Sequence, residues 1–131
     1  MDRKLKHLEF IQATVNRLST NSFLLKGWSI VLVSALFVLA GKEANQKFVY
    51  LALFPAMIFW GLDGYFLWEE RLYRKLYDRV RAKSPTKIDF SMDTRDFLSD
   101  VGGWIRAVFS KTLIPFHGVL VIAIIVVTVI L

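Results

Sequence analysis

Residues 48–68 read FVYLALFPAMIFWGLDGYFLW, 21 positions with a single charge, Asp63. A helix of that length rises about 30 Å, the thickness of a bilayer's hydrocarbon core. Pro55 is tolerable in such a span, because neighbouring groups can satisfy the carbonyl it frees, and it predicts a bend. The stretch therefore reads as a membrane-spanning helix, and the rest of the chain is organised around it.

Upstream, residues 23–41 form a similar 19-residue run interrupted only by Lys26, and downstream residues 112–131 carry no charge at all. The last run is rich in Val and Ile, which favours a strand in water, but a lone strand in lipid leaves its backbone unpaired. Helix is the expected outcome, with Pro115 marking the turn into it. The predicted fold class is thus all-α: an integral membrane protein with three transmembrane helices, plus amphipathic helices on the cytoplasmic side. Composition agrees, since 55% of the 131 residues are hydrophobic and a water-facing domain of this size rarely carries so much. The chain has no cysteine, which excludes disulfides, thiol nucleophiles and cysteine-based zinc sites.

Charge fixes the expected orientation. Five basic residues precede Gly27, two flank the turn (Lys42 and Lys47), ten lie between Glu69 and Lys111, and none follows. The positive-inside rule puts the amino terminus and the middle segment in the cytoplasm and Leu131 on the far side of the bacterial inner membrane. Trp28, Trp68, Trp104 and Tyr65 fall near the predicted cytoplasmic edges, where amphipathic rings anchor. The long polar lead and the lack of a small-residue cleavage site make the first span an uncleaved anchor.

The chain reads as a single membrane domain, residues 1–131. Leu5, Leu8, Ile11, Val15 and Leu18 recur at helical steps, predicting an amphipathic cytoplasmic helix over 1–21 that breaks at Ser19-Thr20-Asn21-Ser22. The second span is expected to continue to about residue 82, since Leu72, Tyr73, Leu76, Tyr77 and Val80 form another stripe. Glu70–Arg74 and Arg74–Asp78 stand at ion-pair spacing. The two stripes should pack together beneath the membrane; the alternative is that one lies flat on anionic lipid, which its flanking Lys and Arg would favour. Residues 83–91 read as a linker, and 92–110 as an interfacial helix capped by Ser91 or Asp93, with Gly102-Gly103 as a hinge or close-packing point. Asp89, Asp93, Asp96 and Asp100 lack the loop pattern of a calcium site, so no metal is expected.

Asp63 is the costly residue, at about 2.5–3.5 kcal/mol for a lone ionised group near the bilayer centre. Lys26 offers a partner: if the first two spans form a hairpin about residues 42–47, equal depths carry numbers adding up to 89, as 26 and 63 do. Either the pair pins the register, or Asp63 faces a watery seam between protomers. Gly27, Gly61 and Gly64 beside these charges are expected to allow close helix approach.

No catalytic constellation is present: His7 and His117 lack companions at ligand spacing, and no phosphate loop, nucleophile elbow or metalloprotease motif occurs. No cofactor is expected. The middle segment carries ten basic against seven acidic residues, a balance suited to a loop near anionic lipid rather than to nucleic acid. Arg71, Arg74, Lys75 and Tyr77 are the candidate surface for a partner or signal.

The run from Phe59 to Tyr77, together with Asn21-Ser22-Phe23, Lys26-Gly27-Trp28, Phe90-Ser91-Met92 and Phe109-Ser110-Lys111-Thr112-Leu113, resembles a family of small bacterial multi-spanning membrane proteins associated with TIR-type anti-phage defence. The resemblance covers most of the chain and carries over no binding-site residue. It implies a homo-oligomeric inner-membrane effector that permeabilises or depolarises the membrane when a cytosolic protein or small nucleotide signal activates it. The competing expectation is a non-conducting anchor or adaptor that recruits a cytosolic enzyme. A transporter is disfavoured because the spans show no inverted repeat.

Overall fold

A computed structural model describes residues 2–43 and 47–130. Residues 44–46, the middle of the expected hairpin turn, lie outside the described residues. The described chain is all helical. Helix α1 runs Asp2–Glu43, α2 Lys47–Ala82, α3 Leu98–Val101, α4 Trp104–Val108 and α5 Ile114–Ile130, with single 3-10 turns at Pro85–Lys87 and Arg95–Phe97.

Helices α1 and α2 form a long hairpin with two cores. Ile11 and Val15 meet Leu72, Leu76 and Val80, and Ile88 and Phe97 close over them; this joins the two amphipathic stripes as their spacing implies. Farther along, Val33, Ala40, Ala52 and Ala56 pack with Ile124 of α5. Small residues at that level let the helix backbones approach closely.

The 42-residue α1 has no break at Ser19-Thr20-Asn21-Ser22, contrary to the expectation of separate helices over 1–21 and 23–41. Hydroxyl side chains disrupt helices by competing for their own backbone, but here they reach across instead. Ser19 Oγ donates to Glu70 at 2.9 Å and Ser22 Oγ to Asp63. Helix α2 passes through Pro55 and ends at Ala82, as expected. Arg74 pairs with Glu70 at 2.8 Å, but Asp78 turns to Arg81 at 3.7 Å rather than to Arg74.

The expected interfacial helix over 92–110 is broken into α3 and α4. Gly102, at φ 85°, occupies a backbone conformation that interrupts the helix, and only glycine takes it freely. Ser91 and Asp93 do not cap a helix; with Asp89 they form successive turns. Asp89 accepts from the Ser91 N–H, Ser91 Oγ from the Asp93 N–H, and Asp93 from the Arg95 N–H. The Arg95 side chain and backbone N–H hold the Asp93 carboxyl down to about 2. This segment folds back on the start of α1, where buried His7 donates from Nε2 to the Ser91 carbonyl at 2.8 Å.

Among the described residues, two helices, α1 and α2, are long and apolar enough to cross a membrane. Their most apolar windows are only 17% and 22% buried, the reverse of a soluble protein's core helix. The third expected span is shorter than its 112–131 reading, because residues 111–113 are turns and helix starts at Ile114. The 17 residues of α5 rise about 26 Å, short of a full hydrocarbon core.

Candidate functional site

Between the two cores, the hairpin and α5 converge on Asp63, which is 0% exposed. Lys26 Nζ lies 2.6 Å from Asp63 Oδ2, so the pair expected from equal depth is assembled. Ser22, one helical turn before Lys26 on α1, donates to Asp63 Oδ1 and accepts from Lys26 Nζ at 2.9 Å. The third contribution comes from α5, whose His117 Nε2 stands 2.7 Å from Asp63 Oδ2. A carboxylate only accepts, so that nitrogen carries the hydrogen. One buried oxygen pair thereby ties three helices.

Aromatic rings enclose the cluster. The Trp60 indole stacks on His117 with centroids 5.8 Å apart and planes 6° from parallel, and Phe116 meets the same imidazole edge-on at 5.0 Å. Lys26 Nζ lies 6.0 Å from the Phe116 ring centroid, and its side chain is 24% exposed where that of Asp63 is 0%. The arrangement is not that of a hydrolase triad. There a histidine stands between serine and carboxylate, whereas Ser22 and His117 both address Asp63.

The glycines differ in role. A Cβ on Gly64 would sit 2.4 Å from Val108 Cγ2, and one on Gly61 3.3 Å from the Trp104 ring. Gly27 is corrected: a Cβ there meets nothing within 4 Å, so it serves no close approach inside one copy. Of the tryptophans read as interfacial anchors, Trp28 is 67% exposed, but Trp68 and Trp104 act as clamps. Trp68 Nε1 donates to the Gly102 carbonyl at 3.0 Å and Trp104 Nε1 to the Gly61 carbonyl at 2.8 Å. Trp60 returns the bond, donating to the Val108 carbonyl at 2.8 Å.

No family model, curated protein or solved structure matches this chain.

The expected signal surface spans two adjoining hollows. Arg71, Arg74 and Lys75 line one groove, joined there by Arg106 and Lys111; Tyr77 lines a neighbouring recess with Gln12 and Val15, and Arg74 and Asp78 border both. Among the described residues, no group of three or more His, Cys, Asp or Glu side chains is placed to hold a metal. Ser22, Trp60 and His117 are the members of the central cluster that sequence reasoning did not assign to it. His117 had a usable signal: it stands as far past the start of its apolar run as Asp63 stands before the end of residues 48–68.

Proposed function

We propose that the chain is a bacterial inner-membrane effector that acts as a homo-oligomer and depolarises the membrane when its central charge cluster opens. The observation that carries this reading is the complete burial of Asp63 among Ser22, Lys26 and His117 at the meeting point of three helices. Apolar residues would hold the same helices as well or better, so ionisable groups at this depth argue for use beyond packing. In a single copy the carboxylate is sealed, and three helices are too few to enclose a water path. Conduction therefore requires several copies and a rearrangement that exposes Lys26 and Asp63 to a shared lumen. On this reading α5 is the third, shorter span, the amino terminus and residues 69–111 are cytoplasmic, and residue 131 lies outside. The link to anti-phage defence comes from the resemblance alone.

A second reading has its own support. The core of Ile11, Val15, Leu72, Leu76 and Val80 under Ile88 and Phe97 makes the polar half a folded platform, suited to an adaptor that recruits a cytosolic enzyme without conducting. Membrane-potential dye in expressing cells separates the two, read with copy number from single-molecule photobleaching. The effector reading expects depolarisation by multi-copy assemblies, lost in Asp63→Asn and Lys26→Gln at equal membrane abundance. Intact potential, with monomers or dimers that co-purify a cytosolic protein, would replace it with the adaptor.

A further inference from the structure

Arg71, Arg74 and Lys75 stand at the three- and four-residue steps that stack side chains along one side of α2. Arg106 of α4 and Lys111, in the turn before α5, face the same groove of about 690 Å³. Like charges so placed repel, and little in the chain answers them. Glu70 pairs with Arg74; among the described residues, Arg71, Lys75, Arg106 and Lys111 make no ion pair or hydrogen bond with another side chain. Of the two carboxylates at the groove, Asp78 is turned to Arg81 at 3.7 Å, which leaves Asp100 against the four unpaired cations. Ser110 also lines the groove, and its hydroxyl is buried without a hydrogen-bond partner. Unpaired cations beside an unsatisfied hydroxyl suit an anion with several acceptor oxygens.

The edge of the groove says which kind of anion. Phe109, which lines it, is 59% exposed, and Ile114, outside the lining but three residues past Lys111 and first in α5, is 43% exposed. Cations next to the exposed apolar start of a helix fit an amphiphile, its phosphate on the cations and its hydrocarbon along α5. A soluble phosphate would gain nothing from that apolar edge. We propose that this groove binds the phosphate of an anionic phospholipid headgroup. The inference rests on the membrane reading above and is independent of conduction.

The test uses the full chain in neutral detergent, titrated with cardiolipin, phosphatidylcholine or inorganic pyrophosphate, and counts adducts by native mass spectrometry. Cardiolipin should bind about tenfold more tightly than phosphatidylcholine, and Arg106→Gln with Lys111→Gln should remove most of that preference. Arg17→Gln with Lys87→Gln, an equal charge loss at exposed positions outside the groove, should change it less than about twofold. Asp100→Asn should tighten cardiolipin binding by about two- to threefold, a gain that a misfolded protein does not produce. Equal losses in the two double variants would overturn the proposal. So would pyrophosphate binding that depends on the groove while cardiolipin binding does not. Retention in carbonate-washed membranes is scored on the same variants. A chain that washes off defeats the membrane reading, whereas a retained chain whose cardiolipin binding ignores the groove defeats this inference alone.

Discussion

Gly64→Ala tests whether α4 is seated on α2, and Gly27→Ala is its internal standard. Both positions lie inside long helices, so replacing glycine by alanine gains a similar amount of helix propensity, about 1 kcal/mol, and the difference between them isolates sterics. At Gly27 the new methyl meets nothing within 4 Å. At Gly64 it would lie 2.4 Å from Val108 Cγ2, 3.2 Å from Val108 Cα and 3.3 Å from Val108 Cβ, against a comfortable carbon–carbon separation of about 3.5–4.0 Å. Rotating the valine clears only the first contact, because the other two atoms belong to the backbone and the stiff branch point. Helix α4 must therefore move, and it is held by the Trp60–Val108 and Trp104–Gly61 hydrogen bonds, each 2.8 Å. Overpacking of this kind costs about 1–3 kcal/mol. Equilibrium unfolding in mixed detergent micelles, followed by tryptophan emission, should show Gly64→Ala less stable than Gly27→Ala by that amount. Its emission should also shift before global unfolding as the indoles lose their carbonyl partners. Equal stabilities within about 0.5 kcal/mol would mean that α4 does not rest on Gly64.

Lys26→Met strands the buried Asp63 carboxylate and should cost about 3 kcal/mol in the same unfolding assay; adding Asp63→Asn should recover at least 1 kcal/mol or so, giving a measurable coupling energy. Trp60→Phe keeps an apolar ring but loses the bond to the Val108 carbonyl, for an expected loss of about 1–2 kcal/mol and a shifted His117 imidazole resonance by NMR. Asp93 is held down to about 2 from a starting value of 3.8. Its contribution to the 91–95 turn is therefore complete above pH 3.8 and disappears as pH falls through about 2; an Asp93 carboxyl resonance titrating near 3.8 in the folded protein would contradict this, and Arg95→Gln should raise it part of the way, since the backbone N–H bond remains.

Much of the hairpin was legible because its signals are periodic or symmetric. The stripes through Ile11 and Leu72 foretold the core between them, and equal depth about the turn foretold Lys26 beside Asp63. What escaped notice depended on contacts that local pattern does not encode. Ser22 looked like part of a helix break, since serine's hydroxyl competes with its own backbone until a partner such as Asp63 draws it away. The segment 92–110 has helical periodicity, yet Gly102 interrupts it and the tryptophan bonds to α2 hold the pieces in place. Gly27 and Gly64 are indistinguishable as letters beside charges; only Val108 lying against one of them separates their roles.

An uninterrupted α1 of 42 residues is a rod about 63 Å long, and Ser22 and Lys26 sit near its midpoint. With no hinge at residues 19–22, a push on the amino-terminal half cannot be absorbed by bending there. It becomes rotation of the whole rod about the Asp63 junction, and the two ends swing in opposite directions. A tilt of about 5° moves each end by roughly 3 Å, Ala40 by about 2 Å and Val33 by about 1 Å. A rigid rod turning there would have its fulcrum at the buried charges, so that displacement at His7 would be accompanied by the opposite displacement at Ala40.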